Sequence, residues 1–114
     1  MRVLVIDDEP AVARAIRRML ADDDVAIATD ATCALAHLHE VAVELVVCDF
    51  DLPDMNGLEL HAALREPPMF ILMSGHDEVA LGAPRVDGIL TKPFRSEDLH
   101  RTIAHARALR RLAS

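Results

Sequence analysis

The chain has 114 residues, 52% of them apolar and 27% charged, with 12 lysines and arginines against 19 aspartates and glutamates. That length suits one domain over residues 1–114 and the apolar share supports a packed core. The net charge of −7 argues against a general binder of nucleic acid or of anionic membrane. No apolar run approaches the ~20 residues that span a bilayer, and the acids of Asp7-Asp8-Glu9 stand where a signal peptide keeps its apolar stretch. Cys33 and Cys48 form neither a CxxC pair nor a disulfide framework, which fits a reducing cytoplasm.

In chain order, Val3-Leu4-Val5-Ile6 reads as a first strand, continuously apolar as in a sheet covered on both faces. Pro10 then suits the first turn of a helix whose apolar face is Val12, Ala13, Ile16, Met19 and Leu20, with Arg14, Arg17 and Arg18 turned away. Val25-Ala26-Ile27-Ala28 is a second strand, and Ala31, Ala34, Leu35 and Leu38 give a second helical stripe. Leu45-Val46-Val47-Cys48 is a third strand. Leu60, Ala63 and Leu64 mark a third helix, stopped by Glu66-Pro67-Pro68. Phe70-Ile71-Leu72-Met73 and the brief Gly88-Ile89-Leu90 are strands four and five. Between them, Gly82 and Pro84 interrupt residues 76–87, so a fourth helix there is expected to be short or absent. A last helix has Ser96 as its expected N-cap, Glu97 and Asp98 in its first turn, Leu99, Ile103 and Ala106 on its inner face, and Arg107, Arg110 and Arg111 near its end. Strand and helix alternating in this way predicts a parallel α/β sheet with right-handed crossovers.

Ligands in such a sheet sit beyond the carboxyl ends of its strands. Those ends carry Asp7-Asp8-Glu9, Asp49-Phe50-Asp51-Leu52-Pro53, Ser74-Gly75 and Thr91-Lys92-Pro93-Phe94. Crowded carboxylates repel, and a hard cation held by oxygen relieves them while leaving room for phosphate oxygens. A carboxylate beside that cation can attack phosphorus, with a lysine and a hydroxyl stabilising the phosphoryl charge. The chain has 11 arginines and one lysine, Lys92. A compact ammonium and a planar guanidinium are not interchangeable at a crowded phosphate, so the lone lysine at this edge points to function.

VLVIDDE at the start, VVCDFDLPDMNGLEL in the middle, ILMSG and finally LTKPF, in that order and on successive strand ends, resemble the receiver domain of two-component response regulators over essentially the whole chain. The resemblance implies a doubly wound, flavodoxin-like sheet of five parallel strands in order 2-1-3-4-5. It implies that Asp49 accepts a phosphoryl group, with Pro53 and Gly57 at the family's spacing behind it. Asp7 and Asp8 would hold Mg²⁺ with Asp49 and the backbone carbonyl of Asp51, Asp8 directly and Asp7 partly through water. Ser74 would be the switch hydroxyl and Lys92 the phosphate-pairing lysine, with a cis Lys92–Pro93 bond. The implied function is phosphorylation-dependent signalling: a histidine kinase, a phosphotransfer protein or a small phosphodonor supplies the phosphoryl group, and an output domain or protein reads the change. The domain would catalyse only its own phosphorylation and dephosphorylation. Homodimers are common among receivers; no direct contact with nucleic acid or membrane is expected of this domain.

Three features depart from the family pattern. Ile89 stands where an aromatic switch residue is frequent, three positions before the lysine. The Ser74–Lys92 interval is shorter than usual. Asp51 and His76 occupy positions that tune phosphoryl lifetime in the family. The first two motivate an alternative, a receiver-shaped interaction module that is not switched in the usual way. Asp49-Phe50-Asp51 also has the DxD form of haloacid-dehalogenase-like phosphohydrolases, but there the DxD lies on the first strand and the acidic pair comes late. Elsewhere the plain reading holds: Glu9 as a helix-start acid, Asp54 as a loop residue, the histidines other than His76 as surface residues, none of the six with metal spacing, Cys48 as a small core hydrophobe, and the terminal arginines as a solvated helix face.

Overall fold

Successive residues of a strand point to opposite faces, so a continuously apolar strand needs cover on both sides. The computed structural model, which describes residues 1–75 and 85–113, shows that cover. Its elements are β1 (Arg2–Ile6), α1 (Pro10–Met19), β2 (Asp24–Ala28), α2 (Ala31–Glu40), β3 (Leu45–Asp49), α3 (Gly57–Ala63), β4 (Met69–Ser74), β5 (Gly88–Thr91) and α4 (Ser96–Ala113). The five strands are all parallel, in the order β2-β1-β3-β4-β5. Val3, Val5, Val47, Ile71 and Leu90 face α1 and α4, where Ile16, Leu99 and Ile103 close the layer. Leu4, Ile6, Val46, Cys48, Phe70 and Leu72 face α2 and α3, packing on Ala31, Ala34 and Leu60. The sheet order and the strand positions match the expectation from sequence. The short or absent helix expected within 76–87 falls mostly on residues 76–84, outside the described residues.

Local chemistry sets the helix ends. Pro10 opens α1, and Asp30 caps α2 by accepting the Cys33 amide at 2.7 Å. Asn56 and Glu59 form a reciprocal capping box at α3, at 2.8 and 3.1 Å. At α4 the expectation is corrected: Ser96 is the first helical residue, and the Arg95 carbonyl accepts the amides of Asp98 and Leu99. The Asp98 carboxylate reaches back to accept the Arg95 amide at 2.9 Å, the reciprocal half of a capping box, and Arg95 rather than Ser96 stands at the cap position.

At the far end of α4, Arg110 is more than a solvated arginine. Its guanidinium grips Asp87 at 2.8 and 3.1 Å and donates to the carbonyls of Pro67 and Pro68. Asp87 in turn accepts the Phe70 amide at 2.8 Å. This fork pins the last turns of α4 to the start of β4, at the end of the sheet opposite the acids. Among the described residues, no helix is long and apolar enough to cross a membrane.

Candidate functional site

Strand register alone brings the predicted residues to one edge. Ile6 pairs with Cys48, so Asp7 and Asp49 emerge side by side. Asp49 pairs with Met73 and Ser74 with Thr91, which sets Ser74 and Lys92 on the next strands over. Asp7, Asp49 and Lys92 also share the parity of Val5, Val47 and Leu90, so all three lean to the α1–α4 side.

The side chains meet there. Lys92 Nζ lies 3.0 Å from Asp49 Oδ1 and 3.3 Å from Asp7 Oδ2. Asp7 is fully buried and Asp49 is 5% exposed, so one ammonium, itself partly exposed, bridges two carboxylates largely shielded from water. The other Asp7 oxygen accepts the Glu9 amide at 2.9 Å, which fixes its plane at the start of α1. Oxygens of Asp7, Asp8 and Asp49 all lie within 4.8 Å of one another, with Asp8 exposed at the mouth. Ser74 is buried at the end of β4, and its carbonyl accepts the Lys92 amide at 2.8 Å. The Lys92–Pro93 bond is cis.

Electrostatics follows from burial. Desolvation pushes the Asp49 carboxyl above its ordinary range, and the charges of Asp7 and Asp51 add to that, while the hydrogen bond and charge of Lys92 pull it back. Burial alone would lower Lys92; its hydrogen bond to Asp49 and the charges of Asp49 and Asp7 outweigh this and hold the ammonium above its usual value. The arrangement can present a nucleophilic carboxylate, a fixed positive charge and an oxygen-lined cation position to a single phosphoryl group.

Of the predicted site residues, Asp7, Asp8, Asp49 and Lys92 are brought together, and Ser74 sits on the adjoining strand end. Asp51 is exposed on the loop after β3, paired with Asn56 across it. Glu9 stands at the start of α1, where its carbonyl accepts the amides of Val12 and Ala13 and its side chain makes no cap bond. Ile89 is half-buried and packs on the α2–α3 side of the sheet. His76 lies outside the described residues. Cys48 is buried, and its thiol donates to the Asp49 carbonyl at 3.2 Å. Desolvation, with the charges of Asp49 and Asp7, pushes that thiol well up, so it stays protonated as a core residue does. Beside the site, Val12, Ala15, Met19, Pro93 and Phe94 line an apolar groove of about 560 Å³ that reaches Lys92.

Sequence reasoning missed Asp54. It is no plain loop residue: its carboxylate accepts the amides of Ala31 and Thr32 and the Thr32 hydroxyl, at 2.8–2.9 Å. Nothing periodic marks such a contact, because its partners lie more than twenty positions earlier.

Comparison with known proteins agrees with this geometry. Residues 3–104 match the family described as the response regulator receiver domain. The chain is 34% identical to the positive alginate biosynthesis regulatory protein of Pseudomonas aeruginosa, over 93% of this chain and 47% of that protein. It is 35% identical to the transcriptional regulatory protein TrcR of Mycobacterium tuberculosis, over 100% of this chain and 47% of that one. The chain therefore spans about half the length of these curated relatives. Among solved structures, the chemotaxis response regulator CheY4 of Vibrio cholerae superposes with a TM-score of 0.83 at 25% identity, over 92% of this chain and 97% of that one. The Francisella response regulator 1452 receiver domain gives 0.84 at 26% identity, over 95% and 98%. Fold, family match and relatives agree: the chain belongs to the response regulator receiver domain family, the signalling module of two-component systems.

Proposed function

We propose that residues 1–114 act in the cytoplasm as one phosphorylation-switched receiver, with Asp49 as the acceptor. The observation that carries this reading is the Lys92 ammonium bridging buried Asp49 and Asp7 beside Asp8. A carboxylate oxygen of Asp49 attacks phosphorus of a phosphohistidine, on a histidine kinase or phosphotransfer protein, or of a small phosphodonor. The P–N or P–O bond to the donor breaks, its electron pair leaves with the donor, and an acyl phosphate forms on Asp49. Lys92 then pairs with a phosphoryl oxygen in place of the Asp49 carboxylate, and the Ser74 hydroxyl donates to another. Attack of water on that phosphorus releases inorganic phosphate and restores the carboxylate.

Asp7, Asp8 and Asp49 fit a hard divalent cation. The three carboxylates offer oxygens within 4.8 Å of one another, hard donors of the kind such a cation takes, with room for water between Asp7 and the ion. In this reading the Asp51 carbonyl would be the third protein ligand beside Asp8 and Asp49, with Asp7 acting partly through water. When bound, Mg²⁺ supplies charge neutralisation for the transferring phosphoryl oxygens. The groove beside Lys92 gives a protein donor an apolar surface next to the acceptor. The output is a further domain or a separate protein, in keeping with the twofold longer relatives, one of which is named a transcriptional regulatory protein.

Ile89 favours a second reading, an interaction module without the usual switch, because no aromatic ring stands there to turn inward behind Ser74. Amide NMR with beryllofluoride, a phosphoryl mimic, and Mg²⁺ separates the two. A switched receiver shows shifts at Asp49 and Lys92 that extend through residues 85–91 of the β5 region. Shifts confined to the strand ends, with 85–91 unchanged, contradict switching and leave the interaction module.

A further inference from the structure

The first amides of a helix find no partner inside it and must be satisfied by side chains or water. In α2 the local cap Asp30 serves Cys33. The two preceding amides are taken from a distance. Asp54 accepts the Ala31 amide through Oδ1 at 2.9 Å and the Thr32 amide through Oδ2 at 2.9 Å, and the Thr32 hydroxyl donates to Oδ2 at 2.8 Å. The Ala31 amide first, and the Thr32 hydroxyl next, hold this carboxyl down at about 2.

The loop that carries Asp54 is closed at its base. The Phe50 amide donates to the Met73 carbonyl and the Gly57 amide to the Phe50 carbonyl, both at 2.8 Å, and Asp51 bridges to Asn56. Asp54 thus stands at the tip of a loop whose base holds Asp49 and Asp51. That tip is tied to the start of a helix rooted by fully buried Ala31 and Ala34. We propose that Asp54 is a positioning residue for the cation and phosphoryl site: by gripping Ala31 and Thr32 it fixes residues 50–56 and so presents the Asp51 carbonyl to a cation at Asp7, Asp8 and Asp49. This inference rests on the receiver reading above and adds a role for a residue that touches neither cation nor phosphoryl group. Its physical basis is that a loop ordered during folding need not be ordered again when the ligand binds. A cap alone would steady α2 and leave the cation affinity untouched.

The test is a Mg²⁺ titration followed by amide NMR on the full chain, for wild type, Asp54→Ala, Asp54→Asn, Thr32→Val and Asp30→Ala. Asp54→Ala should raise the Mg²⁺ midpoint roughly tenfold, the scale seen when an outer partner of a metal site is removed. Asp54→Asn keeps one acceptor oxygen and Thr32→Val removes one donor, so both should fall between; these milder variants carry the test if Asp54→Ala does not fold. Asp30→Ala uncaps the same helix without touching the loop and should keep the wild-type midpoint. Without metal, amide hydrogen exchange should quicken across 50–56 in Asp54→Ala but not in Asp30→Ala. Wild-type midpoints in the Asp54 variants, or an equal loss in Asp30→Ala, overturn the positioning role alone. A wild type with no Mg²⁺-dependent shifts at Asp7, Asp8 and Asp49 overturns the receiver reading, and this inference falls with it.

Discussion

A single ammonium among buried carboxylates gives the site its character. For Asp49 the loss of water costs more than Lys92 at 3.0 Å returns, and its carboxyl stays above its ordinary range. A group whose folded value is raised stabilises the fold only where it is protonated. Its contribution is complete below about pH 4, the ordinary carboxylate value, and is lost as the pH rises through the folded value. At neutral pH the ionised Asp49 is therefore a liability kept for chemistry. Asp49→Asn should raise stability at pH 7 by about 1 kcal/mol in denaturant melts, and the gain should shrink toward pH 4. A variant no more stable than wild type at pH 7 would contradict this balance.

At the scale of elements, the passage from β3 into α3 is closely packed at Gly57. A Cβ added to Gly57 would sit 2.6 Å from Leu72 Cδ1 and 2.8 Å from the Asp49 carbonyl oxygen, so at least one neighbour would have to move, and the second is backbone of the acceptor itself. Gly57→Ala should cost about 2 kcal/mol in thermal or denaturant melts and displace the amide signals of Asp49 and Phe50. A melt and spectrum like the wild type would show that the loop yields freely. The elements differ in how far the sequence announced them. Strands were plain because each apolar run ends sharply in acids or turn residues, and α1 because its stripe is clean. The Asn56–Glu59 capping box went unread, although its spacing of three is the signature of such a box. The start of α4 was misplaced by one position because Ser96 is the commoner cap, yet Asp98 has the geometry to reach back.

Over the whole molecule, a parallel sheet of order β2-β1-β3-β4-β5 turns dispersed motifs into one edge. Asp7, Asp49 and Lys92 were legible before any coordinates, since each follows an apolar strand and the fold's rule puts ligands at those ends. Contacts between polar residues far apart in the chain were not legible. Asp54 on α2, Arg110 on Asp87, and His100 Nε2 on the Met19 carbonyl at 2.9 Å obey no period, and no spacing in the chain names their partners. They exist only once the sheet has set the helices side by side. The measurement that tests the central claim most directly is intact mass after incubation with a small phosphodonor, with and without Mg²⁺, for wild type and Asp49→Asn. The account predicts a Mg²⁺-dependent gain of one phosphoryl group in the wild type and none in the variant. An equal gain in Asp49→Asn, or none in a wild type that binds Mg²⁺, would contradict it.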